Sequence, residues 1–202
     1  MSGRAERLKM LTKEEIFDRY YGDNFYCYHG RKHIEGMLNM FELCSLGLDE
    51  YYLPAECKDE AAKEQLQQAI LWHDTGGMHG LADNEEIAVS HYTRNGGDDP
   101  VVISAILSTK PSNTEYKNVV ERVLHDFDYE YFRRWETLYI TELLLHNEYC
   151  SVWGNFSHEQ YLEGRIKFLK SLLDRPVFVS VFEYDNATAE THIKKLLEKL
   201  KG

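Results

Sequence analysis

Apolar residues recur at helical spacing through most of the chain. The clearest stripe has the spacing i, i+3, i+4 and i+7 and consists of Leu66, Ala69, Ile70 and His73. This spacing predicts a helix that turns His73 toward the core and ends near the pair Gly76-Gly77. Asp74 follows His73 directly. A histidine and an aspartate that point inward together are costly to bury unless a partner neutralises and orders them.

The same spacing and the capping residues predict further helices on both sides of this one. Capping boxes at Thr12 to Glu15 and at Ser157 to Gln160 each open a helix. Asn84 is the expected N-cap of another helix, and Asp99-Pro100 is the expected start of the next. Other helical stretches are expected at about residues 13–21, 30–47, 115–123, 131–149 and 186–199.

The stretch from Val177 to Tyr184 is apolar and β-branched, as in a β-strand. A single strand would have nothing to pair with, so we interpret this stretch as a loop or a helix start. Neither an internal repeat nor a domain boundary is visible in the sequence. The pattern therefore predicts an all-α fold that forms a single domain over residues 1–202.

Composition narrows the classes of function. A hydrophobic fraction of 43% is enough for a buried core, and a formal net charge of -11 argues against binding along nucleic acid. This charge is still compatible with a small anionic substrate. The four cysteines have neither metal-site nor disulfide spacing, which predicts reduced thiols in a cytoplasmic protein. The sequence shows neither an apolar signal segment nor a membrane-spanning run, so no membrane association is expected.

Two further groups of polar residues could meet the His-Asp pair in the fold. His33 opens a predicted helix, and His29 lies four residues earlier, on the same face if the helix begins early enough. The acidic residues Asp126 and Asp128 alternate with aromatic residues, which favours at least one inward-facing carboxylate. By themselves, these histidines could instead form a solvated helix turn, and these aspartates a charged surface.

The order of His, His-Asp and a distant Asp resembles the HD superfamily of metal-dependent phosphohydrolases. The resemblance is to one bacterial and phage branch and includes Tyr28-His29, His33-Ile34, Leu71-Trp72-His73-Asp74, Asn84-Glu85, Thr109-Lys110, Asp126-Phe127-Asp128, Glu148-Tyr149, Tyr161, Gly164-Arg165 and Arg175-Pro176. It covers most of the chain and implies a helical bundle of the HD type. The branch usually carries an arginine where Phe25-Tyr26-Cys27 stand here. Arg31 or another cation could replace it, or the binding of phosphate could be weaker.

The resemblance also implies a metal site and a reaction. The metal ligands would be His33, His73, Asp74 and Asp128, with Asp126 as the alternative to Asp128. Two imidazoles and two carboxylates suit a divalent transition metal such as Mn, Fe, Co, Ni or Zn. A metal-activated water would then cleave a phosphate ester or anhydride of a small molecule, for which the superfamily suggests a nucleotide.

Other residues are expected to bind the substrate or to assist the reaction. Lys110 and Arg165 are candidates for stabilising charge on the phosphoryl group, and Arg31 is a weaker candidate. Glu85 could orient or deprotonate the water. The expected pocket also contains Tyr28, His29 and His79, with Gly76-Gly77 at its mouth. A second ion could involve His29, His79 and His91, and residues that could stack on a base are Tyr26, Tyr28, Trp72 and Phe127.

Two other functions remain open from the sequence. One is a catalytically silent HD module that binds a nucleotide and acts through a protein partner, although the presence of every expected ligand argues against it. The other is a structural helical protein in which the His-Asp pair only forms a buried hydrogen bond. The resemblance also suggests a homodimer, while the leaving group and the identity of the metal are open.

Overall fold

The structure, a computed structural model, describes residues 10–22, 27–48, 52–77, 83–152, 154 and 156–200. The regular structure of these residues is helical throughout, which confirms the expected all-α fold. The helices α1 to α9 are Lys13–Ile16, Arg31–Leu46, Glu60–Trp72, Asn84–Arg94, Pro100–Ser108, Val119–Asp128, Trp135–Asn147, His158–Leu172 and Asn186–Leu200. Short π turns lie at Phe17–Tyr21 and Glu148–Val152, and 3-10 turns lie at Ala55–Cys57, Glu130–Arg133 and Glu183–Asp185.

Helix α3 lies at the centre of these elements. It packs against α1, α2, α4, α5 and α6, and the side chains of Leu66, Ile70 and Trp72 are fully buried. Burial of each large apolar side chain contributes roughly 1.5–3 kcal/mol. Because α3 is covered on several sides, the His73-Asp74 pair at its C-terminal end also lies inside the protein. No helix in the described ranges is both long and apolar enough to cross a membrane.

Most of the capping residues act as the sequence predicts. Thr12 and Ser157 each complete a capping box, in which the side chain and the backbone of the two end residues exchange hydrogen bonds. Asp99 caps α5 with Pro100 at the first helical position. These caps satisfy backbone N–H groups that the helices themselves leave without partners.

The start of α4 differs from the prediction by one residue. Asp83, in a left-handed conformation with φ 71°, is the N-cap, and Asn84 is the first helical residue. The reason is a close approach between the turn after α3 and the start of α4. A Cβ atom at Gly76 would lie 2.1 Å from the backbone oxygen of Asn84, so only glycine fits. Gly76 thereby allows α4, which carries Glu85, to pack against the end of α3.

Helix α6 extends further than the sequence predicted. The expected helical segment ended at Val123, with Asp126 and Asp128 after it, whereas both aspartates lie within the helix. The helix runs from Val119 to Asp128. Asp126 and Asp128 are therefore two positions apart in a helix, and their side chains leave it in directions about 160° apart. One of the two carboxylates can face a site only if the other faces away.

Asp126 organises the apolar stretch that joins α8 to α9. Its carboxylate oxygens accept hydrogen bonds from the backbone N–H groups of Val179, Ser180 and Phe182, at 2.8, 2.9 and 3.1 Å. These bonds satisfy donors that would otherwise need a partner strand. The stretch from Val177 to Tyr184 is accordingly a loop that enters a 3-10 turn, as expected, and not a strand.

The helix expected over residues 131–149 is divided into three parts. A 3-10 turn precedes α7, and the π turn Glu148–Val152 follows it. The helix expected over residues 13–21 is divided similarly, because a π turn replaces its second half. Single π turns inside helices are found frequently at functional sites. The π turn after α7 begins at Glu148, which is only 1% exposed.

Candidate metal centre

Four polar side chains from three helix ends meet inside the protein. His33 comes from the first turn of α2, His73 and Asp74 follow α3, and Asp128 is the last residue of α6. Nε2 of His33 lies 3.2 Å from Oδ1 of Asp128 and 3.5 Å from Oδ2 of Asp74. Nε2 of His73 lies 3.1 Å from the same Asp74 oxygen. One ligand atom each from His33, His73 and Asp128 lies within 4.8 Å of the other two.

These atoms are close together but do not form hydrogen bonds. Nε2 of His33, Nε2 of His73 and Oδ2 of Asp74 are buried and have no hydrogen-bond partner among the described residues. Buried polar atoms are almost always hydrogen-bonded, so this convergence needs an explanation. A cation between them would satisfy all of these atoms, because nitrogen and carboxylate lone pairs are its ligands.

The orientation of His73 suits a metal ligand. Its Nδ1 lies 2.9 Å from the backbone oxygen of Ile70, which the end of α3 leaves available. When a cation displaces the second ring proton, an Nδ1–H donor to this oxygen fixes the tautomer and leaves the lone pair of Nε2 directed into the cluster. Second partners of this kind typically orient metal-binding histidines.

The cluster carries a surplus of negative charge. Burial alone would lower the pKa of His73, but the charges of Asp74 and Asp128 outweigh burial and raise that pKa to about 9. Burial likewise opposes ionisation of Asp74, and the neighbouring histidines nevertheless hold its pKa below the ordinary value. The two carboxylates thus attract positive charge into the cluster, whether as protons or as a cation.

Asp126 does not belong to this group. Both of its oxygens are occupied by the backbone N–H groups of the loop between α8 and α9. Burial is the main cause that raises the pKa of Asp126 to about 6, against the effect of these hydrogen bonds. Of the two alternatives that the sequence left open, the structure therefore brings Asp128, and not Asp126, to the cluster.

A cavity of about 320 Å³ opens beside the cluster and is lined by Asp74 and Asp128. Its lining also includes Gly77, from the pair that the sequence placed at the pocket mouth. Seven tyrosine and phenylalanine residues also line the cavity, namely Tyr28, Tyr129, Tyr131, Tyr149, Phe156, Tyr161 and Phe168. The hydroxyl of Tyr28 donates a hydrogen bond to the backbone oxygen of Asp128 at 3.2 Å. The aromatic wall and the cluster are thereby directly connected.

Glu148, to which the sequence assigned no separate role, positions Tyr28 and His29. Its Oε2 accepts hydrogen bonds from the backbone N–H groups of Tyr28 at 2.8 Å and of His29 at 3.1 Å. Its Oε1 lies 3.2 Å from Nδ1 of His29. Burial would lower the pKa of His29, but the charges of Glu148 and Asp74 raise it to about 9. The carboxylate of Glu148 therefore favours the protonated form of His29 in the cavity wall.

Arg165 also lines the cavity and is held by α7. Its Nε donates to Oε2 of Glu142 at 2.7 Å, and the hydroxyl of Tyr161 donates to the other Glu142 oxygen at 2.5 Å. The guanidinium lies 5.1 Å from the centre of the Phe168 ring. Its Nη2 atom is buried and has no hydrogen-bond partner among the described residues. Since arginine stays charged in proteins, Nη2 is a donor that remains available to an anion in the cavity.

Glu85 lies at the cavity wall as expected, at the start of α4. Burial raises the pKa of Glu85, and the nearby charge of Asp74 adds to this effect. A carboxylate that binds its proton more tightly than usual is suited to accept a proton during a reaction.

The structure does not bring two expected cations to the cavity. Lys110 points outward and forms an ion pair with Glu86 on the exposed side of α4. Arg31 forms an ion pair with Glu35 at 2.9 Å and lies over the ring of Phe17, 4.9 Å from its centre. Neither side chain contributes to the described wall of the cavity.

The remaining expectations fall on core residues or outside the described ranges. Trp72 and Phe127 are fully buried and are therefore core residues, not stacking surfaces for a base. His91 stacks on Tyr20, at a ring separation of 4.5 Å, and is not part of the cavity wall. His79 and Tyr26 lie outside the described residues.

Comparison with protein-family models, with curated proteins and with solved structures finds no significant match to this chain. The resemblance to the HD superfamily is accordingly carried by the residues of the sequence themselves.

Proposed function

We propose that this protein is a metal-dependent phosphohydrolase of the HD type that acts on a small phosphorylated molecule, in particular a nucleotide. One observation carries the proposal. The ligand atoms of His33, His73 and Asp74 converge in the interior at 3.1–3.5 Å without hydrogen bonds. A structural role for the pair would predict hydrogen-bonded partners, whereas a cation site predicts convergence of this kind.

The donor set fits a divalent transition metal. Two imidazole nitrogens and two carboxylates, from His33, His73, Asp74 and Asp128, are ligands that suit Mn, Fe, Co, Ni or Zn. When bound, such an ion would lower the pKa of a water molecule and polarise a phosphoryl group. The negative charge of the cluster provides the electrostatic attraction for the ion.

The other residues of the cavity supply what phosphoryl transfer needs besides the metal. Hydrolysis joins a water oxygen to phosphorus, breaks the bond from phosphorus to the leaving oxygen, and moves a water proton to that oxygen. Glu85 can take part in this proton transfer, because burial raises its pKa. Nη2 of Arg165 can donate to phosphoryl oxygens, where charge has to be stabilised, and the charge that Glu148 favours on His29 would attract the same oxygens.

The first test measures metal in purified protein by inductively coupled plasma mass spectrometry. We expect about one equivalent of transition metal in the wild type, and its loss in His73→Ala and Asp74→Ala. His192→Ala is the matched control, since His192 lies elsewhere and pairs with the backbone oxygen of Phe132. A wild type that binds no transition metal after reconstitution would refute the proposal.

The second test follows release of phosphate or nucleoside from nucleoside mono-, di- and triphosphates and from cyclic nucleotides. We expect hydrolysis of at least one class by the metal-loaded wild type and none by the two ligand variants. Metal binding without any hydrolysis would contradict the enzymatic part of the proposal and favour a nucleotide-binding module.

The free thiols also lead us to place this activity in the cytoplasm.

A further inference from the structure

The cavity beside the cluster is small and unevenly charged, and these properties restrict what it can accept. We propose that its substrate carries a single phosphoryl group on a planar aromatic body, as in a nucleoside monophosphate, and that nucleoside di- and triphosphates are excluded. This inference rests on the proposed function, because the phosphoryl group is placed at the candidate metal ligands.

Volume is the first argument. The cavity measures about 320 Å³. Pockets for small ligands span roughly 300–1,000 Å³, so this cavity is at the lower end of the range. One ring system with a sugar and a phosphoryl group occupies a space of this size, so the additional phosphoryl groups of a di- or triphosphate would extend beyond the cavity.

The aromatic wall is the second argument. Tyrosine and phenylalanine side chains from several separate parts of the chain line the cavity. These residues are Tyr28, Tyr129, Tyr131, Tyr149, Phe156, Tyr161 and Phe168. Planar bases stack on such rings largely independently of their identity. A substrate made only of sugar and phosphate would leave this apolar surface without a partner.

Charge is the third argument. Asp74, Asp128 and Glu85 place three carboxylates in the described wall, and Arg165 is the only lysine or arginine there. The charge of Arg165 is already balanced by Glu142. The internal stretches outside the described ranges contain neither lysine nor arginine.

The charges of a divalent ion would be balanced by the two aspartates that bind it. Little positive charge would then remain for the substrate, namely a donor from Nη2 of Arg165, because the ring of His29 already faces the carboxylate of Glu148. A single phosphoryl group can be accommodated by this donor. Each additional phosphoryl group adds negative charge, which the carboxylate of Glu85 would repel. The described wall contains no lysine or arginine besides Arg165 that could balance this added charge.

The deciding experiment compares matched substrate series. Values of kcat/KM are measured with metal-loaded wild type for the mono-, di- and triphosphates of adenosine, guanosine and cytidine, and for ribose 5-phosphate. We expect each monophosphate to exceed its triphosphate by about tenfold or more, from repulsion of the added charge. Equal or faster hydrolysis of a di- or triphosphate, or of ribose 5-phosphate, would overturn the inference while leaving the proposed function intact.

Binding provides a readout that does not need turnover. Isothermal titration calorimetry of the metal-loaded protein with a nucleoside phosphorothioate and with its β,γ-methylene triphosphate analogue should show tighter binding of the former. Tighter binding of the triphosphate analogue, or binding of neither, contradicts the inference. Absence of bound metal in the wild type would instead identify failure of the proposed function itself.

A pair of neighbouring variants tests the charge argument directly. Glu85→Gln removes one negative charge from the cavity wall, so the ratio of triphosphate to monophosphate kcat/KM should rise by about tenfold even if both rates fall. Glu86→Gln is the matched control, because Glu86 is exposed and pairs with Lys110 outside the cavity. An unchanged ratio in Glu85→Gln would show that charge does not exclude polyphosphates.

Discussion

Buried carboxylates occur in two regions of this protein, and they are satisfied in different ways. On the side of α7 and α8, Glu142 accepts hydrogen bonds from Tyr161 and Arg165, and both oxygens of Glu148 have donors. At the ends of α3 and α6, Oδ2 of Asp74 lies among histidine nitrogens and has no hydrogen-bond partner in the part of the chain that the structure describes. The carboxylates of the first region are satisfied in the folded chain, while the second region has lone pairs that a further partner would have to satisfy.

This difference separates positioning residues from candidate ligands. A buried charge with full hydrogen bonding fixes its neighbours, and its removal affects stability or geometry. A buried charge without donors costs stability unless a ligand binds there. The comparison therefore predicts that variants in the two regions fail in different assays.

The largest expected effect separates two neighbours on α6. Asp128→Asn should abolish stoichiometric metal binding and lower kcat/KM by on the order of a thousandfold, because the metal loses a charged ligand. Asp126→Asn should retain the metal and lower the free energy of unfolding by about 1–3 kcal/mol, since its backbone hydrogen bonds weaken. Metal analysis and urea unfolding distinguish the two. Loss of metal in Asp126→Asn alone would reverse our assignment of the ligand.

The next largest effect is expected for the hydrogen-bonded pair of Glu142 and Arg165 between α7 and α8. Glu142→Ala should lower the free energy of unfolding by about 3–5 kcal/mol, because Arg165 would be left as a buried, unpaired charge. Both side chains of this pair are less than a tenth exposed, at 7% and 9%. Glu136→Ala, at an exposed position of the same helix, should change stability little. Urea unfolding measures both, and equal stability of the two variants would contradict a structural role of the pair.

Mild acid should destabilise the fold through a histidine of the core. Burial is the main cause that lowers the pKa of His125 to about 4. An unfolded histidine titrates near 6.5, so His125 favours the folded state above that pH and loses this contribution as pH falls toward 4. The loss amounts to up to about 3 kcal/mol.

Urea unfolding of the metal-free protein between pH 7 and pH 4 tests this dependence. His125→Gln should reduce the slope of stability against pH, although it also loses the contact with the backbone oxygen of Val177. His146→Gln is the control, because His146 is a less buried histidine at the end of α7. Identical slopes in the wild type and His125→Gln would assign the acid sensitivity to other groups.

The smallest effect is expected for Glu148→Gln. The amide keeps one acceptor oxygen for the backbone N–H groups of Tyr28 and His29 but no longer carries the charge that faces the His29 ring. Loss of such a supporting interaction typically costs 10–100-fold, and we expect an increase of KM of about tenfold with the metal retained. Kinetics and metal analysis on the same sample check this, and loss of the metal would mean that Glu148 acts on the cluster itself.

The sequence by itself determined the all-helical fold class and three of the residues expected in the cluster, namely His33, His73 and Asp74. Helical spacing and capping depend on neighbours a few positions away, so the stripe ending at His73 and the caps at Thr12 and Ser157 could be predicted locally. The HD resemblance supplied His33 and Asp128 as expected companions of the His-Asp pair. These predictions need no knowledge of which helices touch.

Only the tertiary structure decided between Asp126 and Asp128 and removed Lys110 and Arg31 from the cavity. Whether each of these side chains reaches the cluster or the cavity depends on the direction in which it leaves its helix and on the group that it contacts there. Glu142 and Glu148 gained their roles in the same way, because their donors lie 19 and 120 residues away in the chain. Hydrogen bonds across such separations exist only after the helices have packed, so local pattern cannot reveal them.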